Sequence, residues 1–249
     1  MGRYTVLFLT SLFVFSCESE PPLEFTQQTL VTAQIDACNN KKCPEITVDF
    51  DQLNQAHPLA AIVNKENEKF IAAIISSAVM PDKYALTVNE AVNGFVANFQ
   101  DYMGDFPTAV ELYELDIQNF MAYSDDQFMS FKTDYYLYTG GAHGFGGQEY
   151  LVLDSQTGTQ LLLDEIVKDE AAFTQFAEAQ FKSQQNIPES DAINSTGFWF
   201  EDEQFYLSES YGFTQEGFEV IYQAYDISSY AQGPITLSFN WDQIKPYLK

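Results

Sequence analysis

The stretch Met129-Ser130-Phe131-Lys132-Thr133-Asp134-Tyr135-Tyr136-Leu137-Tyr138, followed by Thr139-Gly140-Gly141-Ala142-His143-Gly144, decides the fold of this 249-residue chain. Met129, Phe131, Thr133, Tyr135 and Leu137 recur with period two, the mark of a strand with one buried face. A glycine-rich break ends the run, and Tyr150 to Leu153 resumes it. From Val110 the same period holds upstream, in Tyr113, Leu115 and Ile117. Asp125-Asp126 lies between the two runs, where a hairpin turn is needed.

Working outward, residues 23–35 read as a first strand, and Ile46, Val48 and Phe50 as a second. Ile62, Val63, Phe70, Ile71, Ile74 and Ile75 follow at helical spacing, with Pro58 opening that helix and Pro81 beyond its end. Thr87 and Glu90 form a capping box for a second helix, striped by Ala91, Val92, Phe95, Val96, Phe99, Tyr102 and Met103; Gly94 and Gly104 are expected to weaken or end it. Beyond a turn at Asp154 to Gly158, Leu161-Leu162-Leu163 leads to Asp164 as the N-cap of a third helix, whose face is Phe173, Phe176, Ala177 and Phe181. Strands are then expected at 198–200, 205–207, 218–222 and 235–241. This mixture lacks a strict βαβ alternation. It predicts an α+β fold with a largely antiparallel sheet and about three helices, one compact unit of two sequence halves meeting near residue 125.

Hydrophobic residues make up 46% of the chain and charged ones 19%, enough apolar surface for a core and too much for a disordered tail. Eleven Lys and Arg against 36 Asp and Glu give a net charge of −25. That balance excludes nucleic acid as a partner, because polyphosphate binding needs clustered cations. It favours basic partners.

Val6 to Phe15 is too short an apolar run to span a bilayer but fits the centre of an export signal. Val14-Phe15-Ser16-Cys17 resembles a bacterial lipobox, with Phe15 in place of the usual small residue. Residues 1–16 are then a lipoprotein signal peptide, Cys17 the lipidated residue, and 17–25 a tether. The alternative is an ordinary signal peptide cleaved nearby; both export the protein. In an exported protein Cys38 and Cys43 read first as a disulfide closing a short loop, worth about 2 kcal/mol, and otherwise as two thiols. A metal site would need further ligands, so no metal and no cofactor are expected.

Five of the residues in Thr139-Gly140-Gly141-Ala142-His143-Gly144 and Gly146-Gly147 are glycine. The spacing is neither a Walker loop nor a dinucleotide fingerprint. Two readings stand: a tight connection between strands, or a ligand-binding or catalytic loop built around His143, histidine being a side chain suited to proton transfer. His57, beside Pro58, reads as a helix-entry residue, and Glu201-Asp202-Glu203 as a solvated charge run without EF-hand spacing. With 36 acids, pairing carboxylates by sequence is uninformative.

The order of Tyr138 to Gly144, Asp154 to Gly158, Leu161 to Ile166, Tyr225 to Ile235 and Ile244 to Leu248 resembles the RsiV-like extracytoplasmic domain of unknown function. The resemblance covers residues 126–249. Residues 26–125 look like the variable companion domain that usually precedes it, which also occurs in the peptidoglycan deacetylase PdaC. The resemblance implies recognition in the cell envelope, with lysozyme the family's known partner. This chain is expected to depart from the family's anti-sigma mechanism, since no later segment is apolar enough to span. It is also expected to depart from deacetylation, since His57 and His143 are too few for a metal-dependent site. The expectation is a lipid-anchored envelope protein, periplasmic or on the outer surface, that binds a basic protein such as lysozyme or a cell-wall glycan. The rival is an envelope hydrolase or esterase using His143 as general base.

Overall fold

The computed structural model describes residues 21–79, 85–108 and 112–249. Cys17 and its signal, Pro81 and Val110 lie outside the described residues. Five strands, β1 (Phe25–Val31), β2 (Glu45–Leu53), β3 (Glu114–Ser124), β4 (Phe128–Tyr138) and β5 (Phe145–Asp154), form one sheet in chain order. Its neighbours are antiparallel except β2 and β3. That pair is parallel because two helices, α1 (Ala60–Ser77) and α2 (Val88–Asp105), intervene and return the chain to the same edge. None of the helices among the described residues is long and apolar enough to cross a membrane.

The period-two residues face the helices. Ile46, Val48, Leu115, Ile117 and Leu137 pack against Ile71, Ile75, Val92, Phe95 and Phe99. Within this core Asn67 and Asn119 exchange side-chain hydrogen bonds of 2.8 and 3.0 Å, and Asn119 also donates to Thr133 Oγ1 at 2.9 Å, so the buried amides are satisfied. Thr87 caps α2 by accepting from the Glu90 amide, as the sequence predicts; Gly94 does not interrupt the helix.

A second layer follows. Two helices, α3 (Leu163–Ile166) and α4 (Glu170–Gln184), precede a three-stranded antiparallel sheet of β6 (Ser210–Thr214), β7 (Gly217–Tyr222) and β8 (Ile235–Asn240), and α5 (Trp241–Ile244) closes the fold. Phe173 and Phe181 of α4 pack against Phe218, Phe239 and Tyr222. The small sheet sits on the face of the large one that the helices leave open, over β4 and β5. Phe128 stacks on Phe213 at 4.4 Å, Ser130 Oγ accepts from the Phe213 amide at 2.9 Å, and Lys132 meets Glu219 at 3.6 Å.

Three sequence expectations are corrected. Residues 198–200 and 205–207 are not strands. The rings of Phe198, Phe200, Phe205 and Tyr206 crowd around Phe181 and Tyr222, and the main chain is satisfied irregularly: Asn194 bonds both the Phe200 amide and carbonyl at 2.8 Å, and Ile227 accepts from the Trp199 amide. Asp164 is not the cap of the long helix; Asp169 is, accepting from Ala172, while Asp164 lies in the first turn of α3. The first strand stops at Val31, because Thr32 turns inward to bond the Pro44 carbonyl and the Ile46 amide.

Candidate functional site

The glycine-rich segment is the β4–β5 connection. Gly140 and Gly141 take φ of +93° and +92°, the region open to glycine. Gly144 and Gly147 serve a different need. A Cβ at Gly144 would stand 2.4 Å from the Tyr136 ring, and one at Gly147 2.7 Å from the Tyr135 ring. The glycines therefore make room for tyrosines of the facing strand. His143 is exposed, its Nδ1 lies 3.0 Å from the Gly144 carbonyl, and its ring stacks on Tyr230 at 4.6 Å. A carbonyl can only accept, so Nδ1 is the donor of this bond. Tyr230 donates its hydroxyl to the same carbonyl at 3.2 Å. Thr139 and Ala142 complete the loop, and Tyr138 donates to the Gly141 carbonyl at 2.9 Å.

The remaining sequence candidates fall elsewhere. His57 is buried at the entry to α1, where its Nδ1 accepts from the Leu59 amide at 3.2 Å. Cys38 and Cys43 form a disulfide in the β1–β2 connection. Glu201, Asp202 and Glu203 are exposed on a short turn.

Sequence reasoning missed a carboxylate array. Strand register places Glu45 beside Glu114, Asp49 beside Gln118, and Gln118 opposite Asp134. Alternation turns all of these, with Asp116, Tyr136 and Tyr138, away from the helices. Five carboxylates, Glu45, Asp49, Glu114, Asp116 and Asp134, thus share one open sheet face. Where the small sheet begins to cover this face lies a cleft of about 540 Å³, with Asp116, Gln118, Asp134 and Tyr136 on one side and Pro234 and Thr236 on the other. Asp134 accepts from Gln148 at 2.5 Å. Period two gives each residue's face, but the register of β2 on β3 depends on α1 and α2 and has no local signal.

A second missed group is Glu149. Burial lifts its carboxyl above the usual range and the nearby Asp226 carboxylate adds to this, against a 3.3 Å bond from the Tyr135 hydroxyl. The same burial and the Glu149 charge push the Tyr135 phenol up.

Residues 37–146, which include the glycine loop, match the family model of the deacetylase PdaC, and residues 161–242 match that of DUF3298, a family of proteins of unknown function. A segment similar to PdaC is thus followed by one similar to DUF3298. The order of the two is the one the sequence resemblance implies, but the first match runs past residue 125 to residue 146 and takes in Tyr138 to Gly144. Among solved structures, a DUF3298 family member from Bacteroides fragilis is similar with a TM-score of 0.65 and 21% identity, over 91% of this chain and 94% of that one. A DUF3298 family protein from Pseudomonas aeruginosa is similar with a TM-score of 0.61 and 18% identity, over 92% and 96%. At such identities the likeness is one of fold. None of the curated proteins matches the chain.

Proposed function

We propose that this is an exported, lipid-anchored protein of the cell envelope that binds a basic protein, lysozyme-like in charge, on the open face of its large sheet. The observation that carries this reading is the array of Glu45, Asp49, Glu114, Asp116 and Asp134 leading into the cleft. Glu45 and Glu114 stand directly opposite each other, and like charges so placed destabilise a sheet. A cationic surface docked there would neutralise them, and the net charge of −25 would steer it in. Lys132 lies at the covered end of this face, where its partner is Glu219 at 3.6 Å. Hydrolysis with His143 as base is less supported: its described hydrogen bond runs to a main-chain carbonyl, and its ring lies against Tyr230.

The test is calorimetric and kinetic titration of residues 18–249 with lysozyme, beside a variant carrying Asp49→Asn, Asp116→Asn and Asp134→Asn. The expected result is saturable 1:1 binding that persists at physiological salt. In the variant the association rate should fall about tenfold or more at low salt. Absence of binding at low salt, or equal binding by the variant, defeats the proposal.

A further inference from the structure

Tyr225 has φ of +76°, a left-handed conformation that costs free energy for any residue with a bulky side chain. The turn around it is over-determined. The Gln223 amide donates to Asp226 Oδ2 at 2.7 Å, and the Asp226 amide donates to the Gln223 carbonyl at 3.1 Å. The Gln223 side chain is itself fastened to the Gln148 main chain. The strained residue does not bury its ring: Tyr225 is 54% exposed. It lies nearly parallel to Tyr230, with centroids 5.5 Å apart and planes 29° apart, and Tyr230 lies nearly parallel to His143 at 4.6 Å and 28°. Backbone strain thus holds a flat aromatic face out to water at the end of a three-ring column, beside the glycine loop.

We infer that this column is a saccharide-binding platform, on which Tyr225 takes the C–H face of a pyranose ring. A ligand that covers the face recovers the cost of exposing the ring, and the strain is the cost of presenting it. A cation could sit over the same ring face, but it would make no use of polar groups beside the ring. The C–H side of a sugar instead needs a flat ring held in a fixed orientation. Its hydroxyl edges need polar partners close by. The Asp226 carboxylate adjoins Tyr225 in the chain, and the exposed main chain of Gly141 and Ala142 lies in the loop against which Tyr230 packs. The platform uses none of the carboxylates of the proposed protein-binding face, and its test uses a different probe, so the two readings stand or fall separately.

The experiment titrates the full-length protein in detergent with an N-acetylglucosamine tetrasaccharide and with cellotetraose, by calorimetry, and records Tm for each variant. Saturable binding of either sugar is expected. Tyr225→Phe should keep that binding. Tyr225→Gly should weaken it about tenfold while leaving Tm unchanged or higher, because glycine relieves the strain. A purely structural Tyr225 would give the opposite pattern, a lower Tm with unchanged affinity, and would overturn the proposal. So would failure of the parent protein to bind either sugar. Preference for an arginine-rich peptide over both sugars would make the column a cation–π site and overturn it equally.

Discussion

Glu149 shows how one half-buried carboxyl couples the fold to pH. Its folded-state affinity for a proton is raised, chiefly by burial. The folded protein therefore holds that proton more tightly than the unfolded chain does. The stability it contributes is present below the ordinary Glu value of 4.5 and is lost as pH rises through the raised folded value. Glu149→Gln removes the charge and keeps an oxygen for the Tyr135 hydroxyl. Its Tm should exceed that of the parent at pH 7 and match it near pH 4. Thermal melts across that range check the sign; a lower Tm at pH 7 would mean that Glu149 is needed ionised. Also at this scale, the positions of Gly140, Gly141, Gly144 and Gly147 are plain in the sequence. Their division of labour is not, since only the structure shows Tyr136 and Tyr135 lying where Cβ atoms would be.

Each of the two sheets has an edge strand closed by a glutamine. On β8 the Gln184 amide donates to the Ser238 carbonyl at 2.6 Å and accepts from the Ser238 amide at 3.2 Å. On β5 Gln223 does the same for Gln148, accepting from its amide at 3.1 Å and donating to its carbonyl. A side-chain amide thereby stands in for one residue of a further strand and blunts an edge that would otherwise invite pairing. Gln184→Ala should lower Tm by only about 2–4 °C, from hydrogen bonds worth roughly 1 kcal/mol. Its clearer effect should be concentration-dependent self-association, seen by light scattering; a variant that stays monomeric at high concentration would show that the clasp does not guard the edge. Long elements with strong periodicity, α1, α2 and β4, were legible in the sequence because their local preference agrees with their burial. Residues 198–207 were not, because aromatic packing against α4 replaced ladder hydrogen bonding there.

For the whole molecule, charge is the dominant global feature. Among the described residues three ion pairs are present, Lys69–Glu66, Lys132–Glu219 and Lys182–Glu178, and a net charge of −25 repels itself across the folded surface. Raising NaCl from about 10 to about 150 mM shortens the screening length from about 30 to about 8 Å. If this recovers about 1 kcal/mol, Tm should rise by roughly 2–4 °C. A Tm that is flat or falls over this range would mean that the carboxylates are too dispersed to repel. The same titration should weaken, without abolishing, the proposed docking of a basic protein. The layering has a global cause as well. Helices cover one face of the large sheet, and the small sheet covers β4, β5 and the end of β3 on the other, which leaves the acidic face and its cleft open.

The sequence by itself determined the class of the fold, most of its elements, the capping of α2, the excess of acid and the order of the two matched segments. All of these are set by neighbours a few residues apart or by composition. Only the tertiary structure decided which carboxylates stand together, why the loop glycines are where they are, and that Tyr225 is held strained and exposed. The reason is physical. A strand's period fixes which side a residue faces but not what lies opposite it. Register across β2 and β3 is set by the packing of α1 and α2, and the conformation of Tyr225 by a turn fastened to a distant strand.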